Sequence, residues 1–276
     1  MDIIKRNHIS ISGHGTTPMI FAHGFGCDQS MWRFVAPAFA NDYKLVLYDH
    51  VGSGNSDLNA YDYDKYDSLQ GYADDLIEIC QTLDLNDGVF VGHSVSSIIG
   101  VLAAIKQPQL FRYLILIGPS PCYINHEAYS GGFNQTDIEG LLDMLDENYL
   151  NWSNKMAPVI MGNPDRPELS EELNNRFCQT DPDIARHFAR VTFTSDNRAD
   201  LARLNTPSLI LQCSNDVIAP ESVGRFVHQQ VQDSRFEIMN ATGHCPNLSA
   251  PEETIAMISA YLEPRMSHAT DLACEY

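Results

Sequence analysis

Short apolar segments alternate with amphipathic stretches along most of the chain, and this alternation predicts strands and helices in turn. Strand-length apolar runs lie at 19–22, 44–48, 88–91, 113–117, 208–212 and 235–239. Helical periodicity lies between them, at 29–40, 69–83, 95–105, 222–231 and 252–262. We therefore predict an α/β fold of the α/β-hydrolase type, a mostly parallel twisted sheet flanked by helices, with an antiparallel edge near 3–12.

The alternation stops between residues 121 and 196, where helical patterns follow one another without a convincing strand. One helical face there is formed by Ile138, Leu141, Leu142, Leu145 and Tyr149. We predict a core domain made of residues 1–120 and 197–263, with a helical lid inserted at 121–196. The segment 264–276 shows no periodicity and is predicted to be a disordered tail.

The sequence Gly-His-Ser-Val-Ser at 92–96 follows the apolar run at 88–91 and opens a helix. A serine on a sharp strand-to-helix turn projects its hydroxyl above the sheet, an arrangement known as a nucleophile elbow. Read without its context, Ser94 could instead be a simple helix cap. The elbow pattern expects glycine where Ser96 stands, so replacing Ser96 with glycine is predicted to be tolerated.

Two further residues complete a set that can activate a serine, because the hydroxyl needs a base and the base needs an orienting acid. Asp216 follows the penultimate predicted strand, and His244 follows the last one. The chain order Ser, Asp, His is the order found in α/β hydrolases. We predict Ser94 as the nucleophile, His244 as the base and Asp216 as the acid, with His93 in a structural role.

Acyl transfer also needs hydrogen-bond donors where negative charge develops. The amide after the nucleophile belongs to Val95, and the glycine-rich loop after the first parallel strand presents the amide of Phe25. We predict that these two amides form an oxyanion hole. The Val-Gly-Ser-Gly sequence at 51–54 lacks the lysine of a phosphate-binding loop and is predicted to be a turn.

The amino-acid composition indicates which classes of partner and cofactor this chain is not expected to bind. The 276 residues include 17 basic and 36 acidic side chains, with a formal net charge of -19. No stretch of the chain concentrates basic residues, so neither nucleic acid nor an anionic membrane is a predicted partner.

The cysteines and histidines show no pattern typical of metal ligands. Seven cysteines without a CxxC pair and ten histidines without an HExxH motif predict free thiols, no metal and no cofactor. No signal sequence or membrane span is recognisable, which predicts a cytoplasmic protein.

The motifs together resemble the RsbQ-like α/β hydrolases, bacterial stress-response regulators related to the plant karrikin and strigolactone receptors. The likeness lies in segments 24–32, 51–57, 91–95, 118–123, 176–182 and 243–246. It implies a four-helix lid over a hydrophobic pocket and signalling through a protein partner, which in RsbQ is a PAS-containing phosphatase. The matching positions would line the pocket with Phe25, Val95, Phe133, Trp152, Phe193 and Ile218.

We therefore predict a serine hydrolase of small hydrophobic carboxylic esters or lactones that acts as a small-molecule sensor. Two other functions stay open. One is a regulatory ligand-binding protein with incidental turnover, and the other is a carbon–carbon bond hydrolase on the same fold. Dehalogenase and epoxide hydrolase chemistry is disfavoured, because those enzymes carry an aspartate where Ser94 stands.

Overall fold

The computed structural model describes residues 2–273, with side chains as far as Arg265. The strands in this span are β1 (Ser10–Ser12), β2 (Thr17–Ala22), β3 (Tyr43–Tyr48), β4 (Gly88–His93), β5 (Phe111–Ile117), β6 (Ser208–Asn215) and β7 (Ser234–Thr242). They form one sheet in the order β1-β3-β2-β4-β5-β6-β7. Strand β1 is antiparallel to β3, and every other neighbouring pair is parallel. The predicted mostly parallel α/β sheet is confirmed.

Helices cover both faces of the sheet. They are α1 (Ile3–Arg6), α2 (Leu69–Thr82), α3 (Val95–Lys106), α4 (Gln135–Glu147), α5 (Tyr149–Met161), α6 (Pro167–Gln179), α7 (Pro182–Thr194), α8 (Arg198–Leu201), α9 (Glu221–Gln230), α10 (Pro246–Ser249) and α11 (Pro251–Ala273). Short 3-10 helices lie at Gln29–Trp32, Ala36–Phe39, Leu58–Ala60 and Pro108–Leu110. Among the described residues, no helix has both the length and the apolar character needed to cross a membrane.

The strands are apolar at almost every position because both faces of the sheet are covered. In β2, Ile20 and Ala22 belong to the hydrophobic core shared with α2 and α3. Their neighbours Met19 and Phe21 point the other way and join the core that contains residues of α11. Full burial of a side chain as large as that of Met19, Ile20 or Phe21 stabilises the fold by about 1.5–3 kcal/mol relative to an exposed one.

Three local predictions differ from the structure. The prediction of one helix at 29–40 is wrong, since Pro37 cannot donate a backbone hydrogen bond and stands at the start of a second 3-10 helix. Only Ser10–Ser12 of the predicted N-terminal edge pairs with the sheet, while Ile3–Arg6 is helical. The last helix, predicted to end at Leu262, continues to Ala273 over the predicted disordered tail. Residues 274–276 of that tail lie outside the described residues.

The order of the strands reverses at β2, because β3 lies on one side of it and β4 on the other. In parallel sheets of this kind, the loops at the carboxyl ends of the strands meet in a crevice at that reversal. Ser94 directly follows β4, Asp216 directly follows β6, and His244 lies two residues after β7. The topology therefore brings all three predicted residues to one edge of the sheet.

Helices α4 to α7 stand over this edge, between β5 and β6. We call residues 121–196 the insertion. Its buried side chains, such as Ile138, Leu145 and Phe177, share one hydrophobic cluster with Ile218 and Cys245 from the loops at the sheet edge. The insertion thus packs directly on the loops that carry the predicted site.

Candidate active site

Ser94 occupies a strained turn between β4 and α3, with φ 57° and ψ -125°. Its N–H donates to the carbonyl of Ile117 at 2.8 Å, and its own carbonyl accepts the N–H of Ser97 at 2.9 Å. Gly92 has to be small, because a Cβ there would lie 2.7 Å from the backbone oxygen of Ser96. A positive φ at a serine persists only where the surrounding structure enforces it, as it does in a nucleophile elbow.

One chain of hydrogen bonds joins the three predicted residues. His244 Nε2 lies 2.7 Å from Ser94 Oγ, and His244 Nδ1 lies 2.7 Å from Asp216 Oδ2. All three side chains are buried. Asp216 Oδ1 accepts the amides of Ile218 and Ala219 at 2.9 and 3.1 Å, which fix the orientation of the carboxylate. A carboxylate at Nδ1 selects the imidazole tautomer whose Nε2 can accept a proton from the hydroxyl.

Ser96, which stands where the elbow pattern has glycine, connects the elbow to the loop after β2. Its hydroxyl donates to the carbonyl of His23 at 2.5 Å. The Nε2–H of His50 donates in turn to Ser96 Oγ at 2.7 Å. Since His23 precedes Gly24 and Phe25, the side chain of Ser96 holds the start of the loop that was predicted to supply an oxyanion donor.

Two buried histidines, His23 and His50, support that loop through hydrogen bonds made by neutral rings. His23 Nε2 accepts the backbone N–H of His50 at 3.1 Å, and the Nδ1–H of His23 donates to the carbonyl of Gly24 at 2.8 Å. The two rings meet edge to face with their centroids 4.6 Å apart. Burial lowers the pKa of both side chains, and that of His50 falls well below its ordinary value. Each nitrogen in these hydrogen bonds therefore keeps one fixed role, as donor or as acceptor.

His93 directly precedes the nucleophile, but its ring bonds to the backbone. Its Nε2–H donates to the carbonyl of His244 at 2.6 Å. Burial, followed by the charge of His244, lowers the pKa of His93 to about 3. The neutral ring therefore supports the backbone of the predicted base.

Phe25 and Val95 carry the two amides predicted to bind an oxyanion. Val95 is the first residue of α3, so its amide is one of the donors that a helix N-terminus leaves without an intrahelical acceptor. The ring of Phe25 is surrounded by four aromatic rings of the insertion. Their centroids lie 5.6 to 6.1 Å from that of Phe25, and they belong to Trp152, Phe177, Phe188 and Phe193.

The insertion also supports the loop of His244. The backbone N–H of His244 donates to the carbonyl of Ile160 at 2.8 Å. Gly243, at φ 78°, lies so close to α5 that a Cβ would approach the carbonyl oxygen of Met161 to 1.8 Å. The carboxyl end of α5 is therefore part of the structure that positions the imidazole.

A cavity reaches Ser94 beneath the insertion, with about 480 Å³ of space that protein atoms do not fill, its mouth included. Its wall contains three predicted pocket residues, Phe25, Phe193 and Ile218. The remaining wall is mainly apolar and comprises Gly24, Cys27, His93, Ser94, Tyr123, Met156, Ile160, Leu173, Phe177, Thr192, His244 and Cys245. A mostly apolar cavity with a few polar groups is typical of sites for small molecules.

Three predicted pocket residues lie elsewhere. Trp152 is fully buried behind the ring of Phe25, and the side chain of Val95 packs into the core beside α3. Phe133 precedes α4, where its backbone N–H donates to the carbonyl of Tyr123 at 3.1 Å. An apolar pattern shows that a residue is buried but does not show whether a cavity or another side chain covers it.

Two polar residues of the wall carry no sequence pattern that could have identified them. Burial raises the pKa of Tyr123 to about 12, so its phenol stays protonated. Thr192 is 2% exposed, and its Oγ1 has no hydrogen-bond partner within the described chain. Both residues come from the insertion. Tyr123 lies in the segment 118–123 that resembles the RsbQ-like hydrolases, but the resemblance gave it no role, and Thr192 lies outside every such segment.

Comparisons with known proteins agree with this architecture. A model of the alpha/beta hydrolase family matches residues 19–257. The karrikin insensitive 2 receptor IA of Petunia hybrida is 37% identical over 92% of this chain and 93% of its own length. A strigolactone esterase of Arabidopsis thaliana is 36% identical over 91% of this chain and 94% of its own. The solved structure of a hydrolase from Oleispira antarctica superposes with a TM-score of 0.93 at 40% identity, over 95% of this chain and 96% of that one. The predicted relation to the plant receptors is confirmed.

Replacing Ser96 with glycine is expected to destabilise the protein, in contrast to the tolerance that the sequence alone predicts. The change removes both hydrogen bonds of the Ser96 hydroxyl and leaves only the longer contact of 3.3 Å between the Nε2–H of His50 and the carbonyl of His23, which costs about 1–3 kcal/mol. Urea denaturation should therefore show a lower free energy of unfolding. Ser96→Ala is the matched control, because it removes the hydroxyl without adding the backbone freedom of glycine. Unchanged stability of both variants would contradict this role.

Stability is expected to fall as the pH drops below about 6.5, the ordinary pKa of histidine. The pKa values of His23, His50 and His93 are lowered in the folded protein, so in acid the unfolded chain takes up protons that the folded chain excludes. The stabilisation that comes from these three neutral histidines is complete above pH 6.5. Below that pH, the free energy of unfolding falls by up to about 4 kcal/mol per pH unit. Urea denaturation between pH 7.5 and 5.5 measures this slope. Replacing exposed His14 with glutamine should leave it unchanged, whereas a flat profile in the wild type would refute the assignment.

Proposed function

This chain belongs to the alpha/beta hydrolase family, and on that premise we propose that it is a serine hydrolase of small hydrophobic carboxylic esters or lactones. One observation carries the proposal, the unbroken hydrogen bonding from Asp216 through His244 to Ser94 on the elbow. A serine hydroxyl becomes an effective nucleophile when a base lies within hydrogen-bond reach and a third group orients that base. The esterase among the relatives supports the choice of an ester bond.

In the proposed reaction, Ser94 Oγ attacks the carbonyl carbon of the substrate while His244 Nε2 takes the hydroxyl proton. The amides of Phe25 and Val95 stabilise the oxyanion that forms. The imidazolium of His244 then gives its proton to the leaving alkoxide, and an acyl-enzyme remains. Water attacks the acyl carbon as His244 accepts one of its protons, and that proton returns to Ser94 as the acid product leaves.

The wall of the cavity supports the choice of substrate class. Its aromatic and aliphatic side chains favour a small hydrophobic molecule. A buried hydroxyl without a partner costs about 1–3 kcal/mol, which a ligand can offset by accepting its hydrogen bond. Thr192 therefore favours a ligand that carries a second oxygen away from the carbonyl under attack.

The proposal includes a small-molecule sensor of the RsbQ type, in which the insertion acts as a lid. The receptor among the relatives supports this role. Aromatic rings of the insertion surround Phe25, and the carbonyl of Ile160 accepts the backbone N–H of His244. A ligand that displaced the insertion would therefore change the packing at Phe25 and the hydrogen bond at His244. A PAS-containing protein is the partner that the resemblance suggests. A regulatory binding protein with incidental turnover is the alternative that the same apolar cavity supports.

Ser94→Ala is expected to lower the hydrolysis of a short aryl ester by about 10³-fold or more, because the three residues act as one unit. Ser12→Ala, on the exposed edge strand, is the matched control and should keep full activity. The inactive variant should still gain thermal stability from an intact ester, since the wall of the cavity is unchanged. A folded Ser94→Ala protein with wild-type turnover would exclude the serine mechanism. Slow turnover in the wild type together with a large thermal shift would favour the binding protein.

Thr192→Val is expected to lower kcat/KM about tenfold for lactones that carry a second carbonyl, which corresponds to one lost hydrogen bond of roughly 1.4 kcal/mol. Simple alkyl esters should be hydrolysed as well as before or better, because valine removes an unpartnered polar group from the wall. Thr192→Ser retains the hydroxyl and should keep the preference of the wild type. Equal effects of Thr192→Val on both substrate classes would show that Thr192 does not select the ligand.

A further inference from the structure

A group of three metal-ligating side chains lies at the base of the insertion, apart from the residues of the proposed hydrolase site. Cys122 follows β5 where the insertion begins, and His126 comes four residues later. Asp196 follows α7, where the chain returns to the core. One ligand atom from each residue lies within 4.8 Å of the other two. Cys122 is buried beneath, while His126 and Asp196 are exposed, so the group is open to solvent on one side.

Backbone contacts hold these three residues in a fixed relation. Cys122 and Asp196 pair with each other as an antiparallel bridge. His126 and Tyr129 exchange two backbone hydrogen bonds of 2.9 and 3.0 Å, which close a tight turn. The phenol of Tyr129 then donates to the carbonyl of Cys122 at 2.6 Å. The turn that carries His126 is thereby tied to the residue that carries the thiol.

The distance between the sulfur and nitrogen donors fits a tetrahedral transition-metal ion, and the carboxylate lies within 4.8 Å of both. Bond lengths of about 2.3 Å to sulfur and about 2.0 Å to nitrogen place these two ligands about 3.5 Å apart around a tetrahedral zinc ion. In the structure, Cys122 Sγ lies 3.7 Å from His126 Nε2. Thiolate and imidazole are ligands that suit Zn²⁺, and three protein ligands leave a fourth position for water. The geometry points to a Zn²⁺ site formed by Cys122, His126 and Asp196.

Arg198 competes with the ion for the carboxylate. Its Nε and Nη2 donate to Asp196 Oδ1 and Oδ2 at 2.8 and 2.6 Å, and its guanidinium lies 4.9 Å from the centre of the Tyr129 ring. Zinc therefore displaces the arginine from one carboxylate oxygen, while the guanidinium can keep its contact with the ring. The thiol of Cys122 releases its proton to solvent as the zinc–sulfur bond forms. Arg198 lowers the affinity of the site both by competition and by its positive charge.

An ion at this place would connect the two ends of the insertion. Cys122 lies on the outgoing chain and Asp196 on the returning chain, so one ion would add a second cross-link beside their backbone bridge. A metal bound only by the folded protein stabilises it according to its concentration and dissociation constant. The zinc site is independent of the proposed hydrolase function, because none of its three ligands lines the cavity at Ser94.

The test is a titration of the reduced, metal-free protein with Zn²⁺ by calorimetry and with Co²⁺ by absorption. We expect one ion per chain and a near-ultraviolet sulfur-to-cobalt charge-transfer band that Zn²⁺ abolishes. Cys122→Ser and His126→Ala should each weaken Zn²⁺ binding by about tenfold or more, since each removes a ligand. Arg198→Ala should instead tighten Zn²⁺ binding by severalfold, because the competitor for Asp196 is gone.

Cys178→Ser is the matched control, since this exposed cysteine of α6 lies outside the group. It should bind both metals as the wild type does. Thermal unfolding without metal shows whether each variant is folded, and His126→Ala changes an exposed side chain. A charge-transfer band that survives in Cys122→Ser would overturn the site. So would an Arg198→Ala variant that binds Zn²⁺ no more tightly than the wild type.

Discussion

The hydrogen bond from the backbone N–H of His244 to the carbonyl of Ile160 is the contact on which the candidate site most depends. It fixes the last loop of the sheet to the end of α5. On the opposite side, the ring of Phe25 is packed among rings of the insertion, and a Cβ at Gly26 would lie 2.3 Å from the ring of Phe177. The sheet alone brings the two loops to one edge. Their final conformation comes from the helices above them.

Buried polar groups impose the second constraint, because a buried donor or acceptor without a partner is costly. His23 and His50 satisfy this requirement as neutral rings, with Ser96 between His50 and the carbonyl of His23. The result is a rigid connection between the elbow and the neighbouring loop, made without a buried charge. It explains in physical terms why a serine is accommodated two residues after Ser94, where a glycine was expected.

The sequence was sufficient for features that depend on local pattern or on chain order. Strands buried on both faces appear as continuous apolar runs, and Ser94, Asp216 and His244 each follow such a run. Features that depend on distant partners could not be predicted. The partners of Ser96 lie 46 and 73 residues away along the chain, and no periodicity connects them. For Trp152, the resemblance predicted a place in the pocket wall, but it could not show that the side chain would be fully buried with its ring packed edge to face on that of Phe25.

The spacing of the three predicted residues along the chain has a consequence for biosynthesis. Ser94 and His244 are separated by 150 residues, and Asp216 precedes His244 by 28. The elbow and its helix leave the ribosome long before β7, which has to join the edge of the sheet before the imidazole can reach the hydroxyl. Contacts over such separations form slowly, because a long stretch of chain has to be ordered before they can be made. The newly made chain therefore holds Ser94 without its proposed base until the segment that carries His244 has been added, and a product that ended before β7 would lack that base.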